Sequence, residues 1–157
     1  MESVAAPPSA FEREFASKRP TEVGPDSDDA RKIFSLPSVI IVAAGGSVFL
    51  QPGMSTFEAL LRAFRPSPPP PHFRVTDGWG AFAELRPLRD CHRGDANFGA
   101  YFVLCALDRQ FRRRGTFVAG SLVLTAEDGK PLAPELIRWY WTDIMPRAKN
   151  ALVVAMR

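Results

Sequence analysis

Between His72 and Cys105 stand His72, Asp90, Cys91, His92, Asp95 and Cys105, side chains of the types that do chemistry. Asp90-Cys91-His92 suggests a thiol nucleophile with a neighbouring base. Adjacent residues on extended chain project to opposite sides, however, so Cys91 and His92 do not form that pair with each other. As zinc ligands, His72, Cys91, His92 and Cys105 lack any Cys-x-x-Cys or His-x-x-x-His spacing. Two cysteines also fall short of the four thiolates of an iron–sulfur cluster. The expectation is therefore no catalytic residue, no metal and no cofactor. A second set is Arg109, Arg112, Arg113 and Arg114 around Phe111. Guanidinium groups bind phosphate bidentately and an aromatic ring can stack on a base, so this stretch is a candidate polyanion contact. The competing reading is a solvated loop joining two strands, since base contacts rather than charge carry nucleic-acid specificity. Anionic phospholipid is an equal alternative partner.

Composition bounds what can position these groups. The chain has 157 residues, 46% of them apolar and 11% aromatic, enough for one domain with a real core. A net charge of +3 is far from the dense basic face of a dedicated nucleic-acid binder, which argues against that class. The two cysteines form no disulfide framework, the N-terminus has no basic stretch followed by an apolar one, and no apolar run is long enough to span a bilayer. A reducing cytoplasm is the expected compartment.

Residues 1–8 read as a flexible arm and residues 9–157 as one domain. Ser9-Ala10-Phe11-Glu12 has capping-box spacing for a short helix carrying Phe11 and Phe15, and Asp26, Ser27, Asp28 and Asp29 load the start of a second that ends before Pro37. Val39 to Val42, the Gly45-Gly46 turn and Ser47 to Leu50 read as a β-hairpin. Pro52-Gly53 stops the second strand, Ser55 or Thr56 caps a helix, and Phe57, Leu60, Leu61 and Phe64 give it an apolar face. Residues 66–120 read as an insertion that opens on the polyproline tract Pro66 to Pro71. Strands are expected over His72 to Val75, Ala81 to Leu85, Tyr101 to Leu107 and Thr116 to Leu124, then a helix from Pro134 and a closing apolar strand from Ala151 to Met156. Trp79 is expected to tuck against the sheet, and one of Trp139, Tyr140 and Trp141 to stay partly exposed. A hairpin followed by a helix lying across it opens a ubiquitin-like β-grasp, an α+β fold. Its last strand lies parallel to the first at the middle of the sheet, where a continuous apolar run belongs.

With Phe11, Phe15, Lys18-Arg19 and Glu22, then Ala30 to Ile33 running into Pro37 and Val39 to Val42, and above all Phe49-Leu50-Gln51-Pro52-Gly53-Met54-Ser55-Thr56 followed by Leu60, Phe64 and Arg65, the chain resembles the autophagy ubiquitin-like modifiers of the GABARAP kind. Leu122 to Leu124, Glu127-Asp128-Gly129, Tyr140 and Leu152 to Met156 extend the resemblance. Departures are Val48 at a lysine position, Ser55 at a leucine position, a shorter hairpin and the 66–120 insertion.

The resemblance implies a non-catalytic modifier or adaptor that receives short linear motifs of cargo receptors at the edge of its second strand. Carried over by position, Ile40 or Ile41, Leu50 and Ala151 line a first pocket, Phe49, Gln51, Pro52 and Leu60 a second, and Arg65 lies near the groove. It also implies conjugating enzymes as partners and attachment to phosphatidylethanolamine on autophagic membranes. That attachment calls for a glycine tail beyond Arg157. Alternatives are the sister modifier attached to a protein acceptor, and an RNA- or polyanion-binding assembly protein built on the Arg109 to Arg114 stretch.

Overall fold

A computed structural model describes residues 35–45 and 47–155, with the side chains of residues 92 and 93 excepted. The expected N-terminal arm and the two helices before Pro37 lie outside the described residues, as does Gly46 of the hairpin turn. The chain forms β1 (Ile40–Val42), β2 (Val48–Leu50), α1 (Thr56–Phe64), β3 (His72–Thr76), β4 (Trp79–Pro87), α2 (Phe98–Leu107), β5 (Thr116–Thr125), α3 (Pro134–Trp139), a π turn (Tyr140–Ile144) and α4 (Met145–Ala155). Short 3₁₀ turns at Leu88–Arg93 and Phe111–Arg114 flank α2. The architecture is α+β. One five-stranded sheet has the order β2-β1-β5-β4-β3, and every neighbouring pair is antiparallel.

Around β1, β2 and the second half of β5 both faces of the sheet are covered. On one, Ile40, Val42, Leu50, Val118, Leu122 and Leu124 pack with Val103 and Leu104 of α2, Ile137 and Tyr140. On the other, Ile41, Phe49 and Val123 pack with Met54 and Ala59. Residues of β1, β2 and the second half of β5 alternate between these two cores, as a period of two requires, and their continuous apolar runs result because neither face meets water there.

Helix α1 starts where its cap residue places it, with the Ser55 hydroxyl accepting the Glu58 N–H at 3.1 Å. Its orientation differs from the expected one. Ala59 is the residue buried against the sheet, while Phe57 and Leu61 are 73% and 45% exposed. A small side chain at the contact lets the helix sit close to the strands, with Leu60 and Phe64 packed at its margin and Phe57 and Leu61 turned outward.

Two expected strands are helices. Tyr101 to Leu107 lies in α2, started by Asn97, whose side-chain oxygen accepts the Ala100 N–H at 3.0 Å. A ten-residue apolar run has no period to tell strand from helix, and here the cap decides. Ala151 to Ala155 belongs to α4 rather than to a closing strand. Pro146 does not end the helix, because the π turn just before it changes the hydrogen-bond register: the Met145 N–H bonds to the Tyr140 carbonyl five residues back. The place beside β1 at the middle of the sheet goes to β5 instead, and it runs antiparallel to β1. Residues 66–120 supply β3, β4, α2 and the start of β5.

Trp79 is buried against Trp139 and Tyr140, at ring separations of 5.9 and 6.4 Å. Trp139 is the member of its trio left most exposed. Tyr140 is fully buried, which pushes its phenol pKa up, and its hydroxyl has no hydrogen-bond partner among the described residues. A buried hydroxyl without a partner carries a desolvation cost of about 1–3 kcal/mol. Tyr140→Phe therefore raises stability by about 1 kcal/mol in a denaturant titration. A loss of similar size would show that the hydroxyl is hydrogen-bonded.

Candidate functional site

A broad concave surface lies between the proline tract and the part of the sheet where β4 and β5 shift register, between Phe82 and Glu84. It encloses about 870 Å³, within the range of binding clefts. One wall is Pro68 to Pro71, a straight run that presents rings and carbonyl oxygens but no N–H. Phe64 at the end of α1 forms another wall, and Phe73, Ala83 and Leu85 line the floor. These residues fall together because the proline tract carries the chain from the end of α1 back to β3.

Two charged side chains reach this groove, Glu84 and Arg114. Glu84 is occupied, since its carboxylate lies 2.9 Å from Arg86, which also pairs with Asp95. Those carboxylates, Glu84 foremost, hold the Arg86 guanidinium above its ordinary pKa. Arg114 is different. Its guanidinium lies over the rings of Phe73 and Phe111, at 5.8 and 5.5 Å, and pairs with no carboxylate of the described residues. Gly115, at φ +63°, turns the chain directly after it into β5. The groove thus has apolar walls and one cation whose N–H donors are unspent.

A second, smaller cavity of about 370 Å³ lies across the tract and shares Ser67 and Pro69 with the groove. Phe57, Leu60, Leu61 and Arg65 line it. Leu60 and Arg65 were expected in the docking surface, and they meet here. The rest of that surface is not assembled. Ile40 and Leu50 are buried in one core, Ile41 and Phe49 in the other, and none of the four presents surface to a partner. Gln51 and Pro52 are half-buried at the strand end, where the Gln51 carbonyl accepts the Ser38 hydroxyl at 2.6 Å. Ala151 lies on α4 beside Arg147.

The four arginines of the candidate polyanion stretch are divided. Arg114 faces the groove, whereas Arg109 and Arg112 line a separate cavity with Phe102, Cys105, Ala106, Arg147 and Ala151. Arg113 is exposed and lines neither. Arg147 was not expected, because its approach to Arg109 depends on α2 packing against α4, two stretches that read as strands.

The remaining chemical candidates are dispersed. His72 Nε2 lies 2.9 Å from the Thr125 hydroxyl, and its ring packs on Phe82 at 4.7 Å. Cys105 sits on α2 beside Tyr101 and Arg112, and burial pushes its thiol above the ordinary pKa, so little thiolate is present near neutrality. Cys91 lies in the 3₁₀ turn after β4. Among the described residues no three His, Cys, Asp or Glu side chains are placed to hold a metal ion, and no helix is long and apolar enough to cross a membrane. Comparison of the chain with protein-family models, curated proteins and solved structures returns no match.

Proposed function

We propose that this chain is a non-catalytic adaptor that receives a short, extended segment of a partner protein in the groove along the proline wall. Arg114 carries the reading: a guanidinium over two aromatic rings, without a carboxylate partner among the described residues, at the edge of an 870 Å³ apolar groove. The fitting occupant has one carboxylate between apolar side chains. Its acid meets Arg114, its apolar groups meet Phe64, Phe73 and Leu85, and its N–H groups find the tract's carbonyls. Binding of linear motifs is also what the resemblance to the autophagy modifiers implies, with the docking surface moved from the second strand to the proline wall.

The β-grasp reading within the α+β class is part of the same proposal. It rests on the β1–β2 hairpin and on α1 packed behind it; β5, beside β1, runs antiparallel where a β-grasp has a parallel strand. Attachment to phosphatidylethanolamine or to a protein acceptor belongs to it too and requires a terminal glycine.

Selection from a displayed library of random peptides tests the adaptor reading. The enriched peptides are expected to share an acidic residue flanked by apolar ones, and Arg114→Ala is expected to weaken them by about tenfold or more. Ser121→Trp, which fills the groove from β5, abolishes binding. Failure to enrich any sequence, or binding indifferent to both substitutions, would remove the proposal.

A further inference from the structure

We propose that Arg109, Arg112 and Arg147 form a discrete binding site for a phosphomonoester group, separate from the proline-walled groove. Three elements converge to build it. Phe102, Cys105, Ala106 and Arg109 follow at positions i, i+3, i+4 and i+7, so the first three form one stripe of α2 and Arg109 continues it just past the helix end. Arg147 and Ala151, one turn apart, come from α4, which packs alongside. Arg112 comes from the 3₁₀ turn that follows α2. All three arginines line one cavity of about 380 Å³, and no acidic residue lines it with them.

Like charges are gathered without compensation. None of the three arginines is ion-paired with a carboxylate among the described residues, in contrast to Arg62, Arg74 and Arg86. Asp108, next to Arg109 in sequence, accepts the Gln110 N–H at 3.0 Å. Arg112 lies near the Cys105 thiol of α2 and favours its charged form. Three cations held together repel one another unless an anion lies between them. Planar guanidinium forks match the oxygens of a tetrahedral phosphate, and a terminal phosphomonoester offers more charge and more free oxygens than a backbone diester. A compact cavity also suits one phosphate group better than a nucleic-acid strand, which is bound along a groove.

The chemistry is the same for a soluble phosphomonoester and for a phosphorylated lipid headgroup, and two probes separate them. In a titration of the full chain with inorganic phosphate, followed by the arginine Nε–Hε resonances, Arg109, Arg112 and Arg147 are expected to shift together and saturably. Arg109→Gln and Arg147→Gln each weaken that binding by roughly tenfold, with an unchanged thermal melt. Arg113→Gln removes the same charge from the same surface without lining the cavity, and it leaves the affinity unchanged. Flotation with phosphatidylcholine vesicles, with and without phosphatidylinositol phosphate, then assigns the source. Lipid-dependent flotation that Arg147→Gln abolishes identifies a headgroup. No flotation, with phosphate binding retained, identifies a soluble ligand. Shifts that do not saturate, or an equal loss in Arg113→Gln and Arg147→Gln, would mean diffuse charge and overturn the site. So would an RNA oligonucleotide that binds more tightly than phosphate and depends on Arg113 as much as on Arg147.

Discussion

Asn97→Ala is expected to destabilise the protein by about 4 kcal/mol, a large share of the stability of an ordinary domain. Asn97 is buried, and its amide nitrogen lies within hydrogen-bonding distance of three carbonyl oxygens: Val42 at 3.2 Å, Ala43 at 2.9 Å and Gly120 at 2.8 Å. Its side-chain oxygen caps α2 through the Ala100 N–H, and its own backbone N–H bonds to the Val118 carbonyl at 2.7 Å. One residue therefore joins the end of β1, the bulged part of β5 and the start of α2. Alanine removes the cap, worth about 1 kcal/mol, and leaves buried carbonyls short of donors at a larger combined cost. Asn97→Ser separates the two parts, because a serine hydroxyl can still cap the helix but cannot reach three carbonyls. Urea titrations of both variants should place Ser above Ala by about the value of a cap. A loss below about 1 kcal/mol for Asn97→Ala would mean that the carbonyls find other donors.

Gly80→Ala is expected to cost about 3 kcal/mol, although its backbone conformation is one that any residue adopts. The difficulty is space. A Cβ at this position would lie 2.6 Å from His72 Cε1 and 2.8 Å from the Ala126 carbonyl oxygen, both closer than real contacts allow. His72 cannot simply swing away, since it is held by the Thr125 hydroxyl and packed on Phe82. The carbonyl belongs to backbone just past β5, where it accepts the Gly129 N–H at 3.0 Å and the Ala126 N–H donates to the Lys130 carbonyl at 2.9 Å. In a His72→Ala background the side-chain clash disappears and the carbonyl clash remains, so Gly80→Ala should cost less there but not nothing. Equal costs in the two backgrounds would show that the imidazole yields freely.

The parts of this fold legible in the sequence are those with local causes. Gly45, the β-branched runs on either side, Ser55 and the Pro52-Gly53 stop locate β1, β2 and α1, and Asp77-Gly78 marks the turn between β3 and β4. Trp79 is buried as its size demands. Elements decided by partners were not legible. Tyr101 to Leu107 and Ala151 to Ala155 are short apolar runs that fit either period, and the Asn97 cap together with their packing against each other and the sheet makes them helical. The direction of β5 follows from that packing and not from any residue within it. Site residues divide in the same way. The Arg109 to Arg114 stretch stands out by composition, yet its division between two cavities comes from Phe73, Phe111 and Arg147, brought near by tertiary contacts. Ile40, Ile41, Phe49 and Leu50 were placed at a docking edge by resemblance, and two covered faces make them core.

The central claim is that a partner segment lies along the proline wall with its acid at Arg114. Backbone amide shift mapping with an enriched peptide from the display selection tests it most directly. The account predicts perturbations concentrated at Phe64, Phe73, Leu85, Arg114 and Ser121, lost when the peptide's acidic residue is replaced by its amide. Perturbations confined to Val48 to Leu50, or to Phe57 and Leu61 on the other side of the tract, would contradict it.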